Sequence, residues 1–429
     1  MKVYLDSIGC RLNQSEIEKF ALQFRAAGHT IVASPAEADL VVVNTCAVTA
    51  EAASDSRQKI RQAARLTPGG ITVTGCWATL DRAGAMALPG VDRVVLNDEK
   101  DTLVSTVLGI PSESFDLEPL ARQPLPGLHT RTRAFIKVQD GCDNHCTFCV
   151  TRLARGKGRS RGVSEILSDI RVAQAGGAKE VVLTGVHLGS WGQDFTPKNH
   201  LRDLIQAILQ ESDVPRLRLS SLEPWDLDET FFSLWKNPRL CRHLHLPLQS
   251  GCSATLKRMA RKTTPQQFEA LVKQARELIP DVAITTDIIV GFPGETEEEF
   301  QESLDFVERM QFAGGHVFTY SDRAGTAATR LPNPVPSEVR KRRNALMREV
   351  IRLSSQRYLE RFLGSEVIVL WESTDSLSPS GWNIHGLTDH YVKVVSQAKE
   401  RIWNQFSRVK LLEVDNDRIK GEILEIFPD

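Results

Sequence analysis

Three cysteines with close, regular spacing are the residues most suited to chemistry. The segment Gly141–Cys149 reads GCDNHCTFC, so Cys142, Cys146 and Cys149 have C-x3-C-x2-C spacing. The segment follows a predicted strand, and three thiolates on such a loop can point to one side. Zinc is one candidate, but closed structural zinc sites normally have four ligands, commonly in paired C-x2-C units. Three thiolates on a cluster of four irons leave one iron open, so the spacing favours an iron–sulfur cluster.

Three more cysteines, Cys10, Cys46 and Cys76, each follow a predicted strand. These strands are Val3–Asp6, Asp39–Asn44 and Ile71–Thr74. The carboxyl ends of strands in an open parallel sheet share one edge, where ligands bind. Isolated cysteines are more often buried apolar residues. At a shared edge, however, these three would meet in space although they are far apart in sequence.

The last two cysteines have a simpler interpretation. Cys241 and Cys252 have no partner at ligand spacing, so packing in the core is their expected role. His243 and His245 alternate on the strand between them and could bind a metal. We prefer the interpretation that they form a polar pair facing the interior of a barrel.

Composition and length limit the class of protein. The chain has 429 residues, enough for two or three domains, with 41% hydrophobic and 25% charged residues, as expected of a soluble globular protein. No apolar run reaches the ~20 residues that cross a bilayer. The amino terminus lacks the features of a signal peptide. We therefore expect a cytoplasmic protein with no membrane contact, whose eight cysteines serve as ligands or packing residues rather than disulfides.

The order of predicted elements indicates an α/β protein with three units. Residues 1–117 form an open parallel α/β domain, and residues 128–362 form an incomplete (β/α)6 barrel. Residues 363–429 form a small β-barrel of short strands. A proline-rich linker around residues 111–130 separates the first two units.

The chain resembles the radical S-adenosylmethionine methylthiotransferases over nearly its whole length. The resemblance rests on GCDNHCTFC and on three strings in the first unit, GCRLNQSE at Cys10, NTCAVT at Cys46 and TGCWA at Cys76. It implies two [4Fe–4S] clusters. One, on the C-x3-C-x2-C cysteines, cleaves S-adenosylmethionine to a radical, and the other, on the dispersed cysteines, delivers sulfur. A second S-adenosylmethionine supplies the methyl group.

The resemblance also suggests residues that hold S-adenosylmethionine beside the open iron. The turn GGAKE replaces the family's Gly-Gly-Glu, so the contact pattern is altered there. The other expected contacts come from the aromatic residue before the last cysteine and from the ends of later strands. The full expected set is Phe148, Gly177, Glu180, Ser220, Glu223, Gln249 and Ile289.

Nucleic-acid binding is expected from local patches, because the net charge is only −1. A charge run is usually a solvated surface, but ARGKGRSR lies beside the predicted active site and resembles the ARG…RSR run of the family. We therefore expect Arg155, Arg159 and Arg161 to contact phosphates. The segment GLTDHYVKVV resembles the TRAM domain, an RNA-binding barrel, and places Lys393 as a further phosphate contact.

Three substrate branches exist in the family, and the first unit distinguishes them. GCRLNQSE resembles the GCKVNQ-type start of the branch acting on N6-threonylcarbamoyladenosine, as does NTCAVTAEAASDSRQKIRQA. The isopentenyladenosine branch favours GCQMN, and the branch acting on a ribosomal protein aspartate favours GCPKN. The resemblance thus implies methylthiolation at C2 of the adenosine next to the anticodon of tRNA.

The resemblance also implies an electron donor. Flavodoxin or ferredoxin is the expected electron donor, while the sulfur source stays open.

A non-catalytic, metal-stabilised RNA-binding protein is the alternative from another class. It would explain the basic run and the small barrel, but not a three-cysteine site beside the lumen of a larger barrel.

Overall fold

A computed structural model describes residues 1–111, 132–378 and 381–428. The predicted linker around residues 111–130 lies, apart from Pro111, outside the described residues. The proposed boundaries at residues 117 and 128 lie there as well, and they stay predictions. Among the helices of the described ranges, none is both long enough and apolar enough to cross a membrane.

The amino-terminal unit is built on a parallel sheet of five strands. Its strands are β1 (Lys2–Ser7), β2 (Thr30–Ile31), β3 (Leu40–Thr45), β4 (Gly70–Gly75) and β5 (Val91–Val94). Its helices are α1 (Arg11–Ala26), α2 (Ala50–Leu66), α3 (Cys76–Leu80), α4 (Arg82–Met86) and α5 (Leu103–Leu108). The order β2-β1-β3-β4-β5 makes β1, β3 and β4 direct neighbours. Their carboxyl ends therefore lie side by side, as predicted, and a cysteine follows each end.

The central unit contains six parallel strands and one short antiparallel pair. The parallel strands are β6 (Arg133–Lys137), β9 (Glu180–Thr184), β10 (Arg216–Leu219), β11 (His243–His245), β12 (Ala283–Val290) and β13 (Gly314–Thr319); β7 (Gln139–Asp140) and β8 (Arg159–Ser160) form the antiparallel pair. The strands form the sheets β6-β9-β10 and β11-β12-β13. Parallel bridges from Leu217 to Leu240 and from Ser221 to His245 join them. The predicted incomplete barrel is confirmed.

Helices cover this barrel and bury its apolar side chains. They are α6 (Thr151–Arg155), α7 (Val163–Ala175), α8 (Leu201–Glu211), α9 (Glu229–Phe232), α10 (Ser253–Arg258), α11 (Pro265–Leu278), α12 (Glu297–Met310) and α13 (Ser337–Glu360). Capping side chains define several starts, and Thr264 and Thr296 accept hydrogen bonds from the amides of Gln267 and Glu299. Cys241 and Cys252 are buried, as expected for packing residues. His243 Nε2 and His245 Nδ1 lie 2.9 and 3.0 Å from Thr285 Oγ1, which fits the polar pair inside the barrel.

The carboxyl-terminal unit is a closed barrel of five strands, in the order β14-β15-β16-β18-β17. These are β14 (Glu366–Ser378), β15 (Gly381–Thr388), β16 (Lys393–Ala398), β17 (Phe406–Asp415) and β18 (Arg418–Ile426). Trp371 fills its core, fully buried, and donates from Nε1 to Ser407 Oγ at 2.9 Å. Strand β16 begins at Lys393. The residues before it form a turn, in which Tyr391 has a φ of +67°.

That turn joins all three units. The ring of Tyr391 stacks on His243 with 4.1 Å between the ring centroids, and its Oη accepts from Arg11 Nη2 at 2.8 Å. From β10, Arg216 donates to Leu387 O at 2.9 Å and Arg218 to Thr388 O at 3.0 Å. The small barrel is therefore docked under the amino ends of the central strands, opposite their carboxyl ends.

Replacing Trp371 with alanine should destabilise the small barrel by about 3–5 kcal/mol, because it empties the largest buried site of that core. Chemical denaturation of the full chain, followed by circular dichroism, measures the change. Leu412→Ala is the matched control, since this β17 residue is 51% exposed and should change stability by less than about 0.5 kcal/mol. Equal effects of the two substitutions would contradict the assigned core.

Candidate active site

The loop with three closely spaced cysteines lies at the carboxyl end of β6. Cys142 N donates to Gly156 O at 3.1 Å, which closes the segment into a loop. Gly141 has a φ of +70°, and a Cβ there would lie 1.9 Å from Lys157 O, so only glycine allows this approach. Gln139 holds the start of the loop, since its Nε2 donates to Gly141 O and its Oε1 accepts from His187 N, both at 2.9 Å.

Polar side chains from other segments of the central unit lie near these thiols. Arg261 lies with Nη1 3.8 Å from Cys146 Sγ, and its Nη2 donates to Glu223 Oε2 at 2.7 Å. Burial raises the pKa of the Cys146 thiol, and the Arg261 guanidinium opposes that shift. His187 Nε2 lies 2.6 Å from Asp226 Oδ2. Sequence reasoning missed His187 and Arg261. The position of His187 just after β9 was the available signal.

Five of the seven expected cofactor contacts lie at this end of the barrel. Ser220 follows β10, and its buried Oγ has no hydrogen-bond partner among the described residues. Gln249 follows β11 with a φ of +74°, and its carbonyl accepts from Ile289 N at 2.8 Å. Ile289 and Phe148 both pack against the buried cluster that contains Phe292. An unpaired hydroxyl and an apolar wall at the same end of the barrel fit a nucleoside-containing cofactor.

The other two expected contacts need correction. Gly177 precedes β9 and Glu180 is its first residue, so both lie at the opposite end of the barrel from the cysteine loop. Glu180 is fully buried, and its Oε1 accepts from Arg218 Nε at 2.6 Å. Gly177 O accepts from Asn404 Nδ2 in the small barrel at 2.7 Å. Neither can reach a cofactor at the cysteine loop, and the turn that does face the loop begins at Gly185.

The dispersed cysteines converge at the edge of the first sheet. A Cβ at Gly9, whose φ is +108°, would lie 2.6 Å from Cys46 Sγ, so Cys46 packs against the backbone next to Cys10. A Cβ at Gly75 would lie 2.3 Å from Thr45 O, which brings the start of α3 against the end of β3. Burial raises the pKa of Cys46 to about 11. A raised pKa means that ionising this thiol costs free energy. Binding to a positively charged metal centre offsets the cost of ionisation, because cysteine ligands bind as thiolates.

The third cysteine of this set contacts the central unit through Arg155. Arg155 Nε donates to Cys76 Sγ at 3.3 Å, and Arg155 Nη2 donates to Asn13 Oδ1 at 2.8 Å. Nη1 donates to Glu16 Oε1 at 3.0 Å and to Asp140 Oδ1 at 2.9 Å. Arg155 is only 5% exposed. The expected phosphate contact at Arg155 is therefore corrected, because its guanidinium faces the interior and its donors are engaged there.

The remaining expected RNA contacts differ in their surroundings. Arg159 is exposed on β8. Arg161 is partly buried and donates from Nη1 to Asp169 Oδ2 and to Lys137 O, both at 2.7 Å. Lys393 is exposed at the start of β16, where its Nζ lies 2.5 Å from Asp417 Oδ2. Arg159 and Lys393 are thus the residues of the set most open to a polyanion.

A single metal ion needs its ligands close together around one point. Across the described ranges, no group of three or more His, Cys, Asp or Glu side chains is placed to hold a metal ion. In an iron–sulfur cubane each cysteine binds a different iron, so its ligands stand farther apart than those of one ion. The donor chemistry of both sets, three cysteines each, fits such a cluster.

Two family descriptions match the chain. The Radical SAM superfamily matches residues 136–307, which include the cysteine loop and most of the central barrel. An uncharacterised protein family, UPF0004, matches residues 2–97, which include the three dispersed cysteines.

Similar proteins carry two different names, and both names refer to a methylthio modification of tRNA. A Bacillus subtilis protein named threonylcarbamoyladenosine tRNA methylthiotransferase MtaB is 34% identical over 100% of this chain and 97% of its own length. A Thermotoga maritima protein of the same name is 38% identical over 86% of each chain. A Caldicellulosiruptor saccharolyticus protein named tRNA-2-methylthio-N(6)-dimethylallyladenosine synthase is 32% identical over 98% of this chain and 92% of its own length.

Among solved structures, the radical S-adenosylmethionine methyltransferase TsrM from Kitasatospora setae is similar in fold. It has a TM-score of 0.56 and 16% identity, and the match covers 74% of each chain. The chain therefore belongs to the radical S-adenosylmethionine methylthiotransferase family, and it is an enzyme that uses S-adenosylmethionine and a [4Fe–4S] cluster.

Proposed function

We propose that this enzyme adds a methylthio group at C2 of N6-threonylcarbamoyladenosine next to the anticodon of tRNA. The main support is the match to the Bacillus subtilis relative of that name, which extends over all of this chain. Relatives named for dimethylallyladenosine are also similar, at 32% identity or below. Methylthiolation of isopentenyladenosine is therefore the second candidate.

Cys142, Cys146 and Cys149 hold the cluster that takes part in cofactor cleavage. When bound, this cluster and S-adenosylmethionine supply a radical able to remove hydrogen from an unreactive carbon. Arg261 fixes the position of Cys146 through its ion pair with Glu223. Phe148 and Ile289 provide an apolar wall, and the unpaired Ser220 hydroxyl offers a hydrogen bond to the cofactor.

Cys10, Cys46 and Cys76 hold a second [4Fe–4S] cluster, which carries sulfur. The support is their convergence at the ends of β1, β3 and β4, together with the close backbone approaches at Gly9 and Gly75. Separating the sites is chemically useful, since one generates the radical and the other presents sulfur to the carbon from which hydrogen was removed.

The partners follow from this reaction. The adenosine lies in the single-stranded loop of a tRNA anticodon stem-loop, where an unstacked base can enter the mouth of the barrel. Arg159, Arg161 and Lys393 contact the RNA backbone. A flavodoxin or ferredoxin supplies electrons, and the enzyme acts in the cytoplasm, where its tRNA substrate is.

Loss of the gene should remove one nucleoside, 2-methylthio-N6-threonylcarbamoyladenosine, from total tRNA, and N6-threonylcarbamoyladenosine should accumulate. Liquid chromatography with mass spectrometry of tRNA hydrolysates measures both nucleosides. A strain complemented with the intact chain should recover the product, and 2-methylthio-isopentenyladenosine is the internal control. Loss of that second nucleoside instead would favour the isopentenyladenosine branch.

The two cysteine sets should have separable roles. Changing Cys142, Cys146 and Cys149 to alanine should abolish 5′-deoxyadenosine formation, since the cofactor loses its iron. Changing Cys10, Cys46 and Cys76 should abolish sulfur insertion but leave reductive cofactor cleavage. Liquid chromatography of products from the reconstituted enzyme, with iron and sulfide content, tests both. A Cys241→Ala variant controls for loss of a buried thiol, and methylthio product from either triple variant would contradict the assignment.

Arg159→Gln and Lys393→Gln should each weaken tRNA binding and flatten its salt dependence. Each lost phosphate contact on a single strand should reduce the slope of log affinity against log salt by ~0.7. Fluorescence anisotropy with an anticodon stem-loop measures the slope. The control is Lys273→Gln, an exposed residue on the outer helix α11. Slopes identical to that control would remove these residues from the interface.

A further inference from the structure

One arginine side chain connects the two cysteine sets. Arg155 ends α6, which begins two residues after Cys149, so it belongs to the same segment as the closely spaced cysteines. The hydrogen bond from Cys142 N to Gly156 O closes that segment next to Arg155. From this position the guanidinium reaches into the amino-terminal unit and donates to Cys76 Sγ at 3.3 Å.

The guanidinium is fixed from several sides. Its other nitrogens donate to Glu16 Oε1 and Asn13 Oδ1 of α1, and to Asp140 Oδ1 of β7. Glu16 also accepts from Lys100 Nζ at 2.7 Å, and both of those side chains are buried. A planar guanidinium can satisfy such a set of acceptors at once, whereas an ammonium group cannot.

A second contact strengthens the same junction. Asn97 Nδ2 donates to Ala154 O, the residue before Arg155, at 2.7 Å, and it lies 3.7 Å from Cys76 Sγ. Asn97 is only 5% exposed. Two hydrogen-bond donors therefore face Cys76. Arg155 belongs to the central unit, and the side chain of Asn97 is hydrogen-bonded to the backbone of that unit.

We infer that Arg155 is a positioning residue that holds Cys76 against the radical-cluster loop and, through its hydrogen bond to sulfur, raises the reduction potential of the second cluster. The inference rests on the proposed second cluster. Hydrogen bonds to ligand sulfur and local charge are among the factors that set cluster potentials. A cationic donor stabilises the more negative, reduced cluster, so its removal should make the potential more negative.

The experiment uses a protein that holds only the second cluster. In the full chain, Cys142, Cys146 and Cys149 are changed to alanine, and Arg155→Lys and Arg155→Gln are added separately. Arg171→Gln, an exposed arginine on α7, is the matched control. Each protein is reconstituted with iron and sulfide, and its midpoint potential is measured by a redox titration followed by electron paramagnetic resonance.

We expect Arg155→Gln to reduce the ratio of reduced to oxidised cluster at a fixed potential by about tenfold, which is about 59 mV for one electron. Arg155→Lys should reduce this ratio by less, because it loses the guanidinium hydrogen bond to sulfur but keeps the positive charge. The Arg171→Gln control should have the same midpoint potential as the triple-alanine protein without a further change. Arg155→Lys keeps the charge that balances Glu16 and Asp140, so it remains informative if the glutamine variant does not fold. Potentials equal to the control in a folded Arg155→Lys protein would overturn the inference. A parent without iron and sulfide would instead overturn the proposed second cluster, which distinguishes the two failures.

Discussion

The direction of parallel strands is the constraint on which both cysteine sets depend. Because β1, β3 and β4 run the same way and lie side by side, three cysteines distant in sequence meet at one edge. The same rule places the loop after β6 and the residues after β9, β10 and β11 at one end of the central barrel. Two such edges then face each other where α6 meets α3. The placement of the two cysteine sets opposite each other is therefore a consequence of topology, before any side chain is considered.

A buried ionic cluster holds the two edges together. Arg155, Glu16, Lys100 and Asp140 are all buried, and each has an oppositely charged partner. Breaking a buried pair by removing one partner typically costs about 3–5 kcal/mol, because it leaves an uncompensated charge. An apolar junction could give similar stability, but it could not donate a hydrogen bond to a thiolate. The polar junction is thus better explained by the hydrogen bond that Arg155 donates to Cys76 than by a gain in stability.

The sequence was most informative where the spacing of reactive residues is local or where a strand end is evident. The C-x3-C-x2-C loop and the strand-end cysteines needed no side-chain packing to be found. Gly177 and Glu180 were misplaced because Gly177 precedes β9 and Glu180 is its first residue, and the two ends of a strand lie at opposite ends of the barrel. Arg155 was misplaced because a basic run has the same letters whether exposed or buried. Arg261 could not be predicted, since its role depends on a contact with Cys146 between distant segments.

The two ends of the central barrel are therefore organised for different purposes. At the amino ends of the strands, Arg218 pairs with Glu180 and donates to the small barrel, while Tyr391 stacks on His243. These contacts bring the small barrel against the floor of the central barrel. At the carboxyl ends lie the thiols and the unpaired Ser220 hydroxyl. Since the floor is occupied by this docking, a nucleoside has to approach from the carboxyl ends, which is also where the first unit presents its three cysteines.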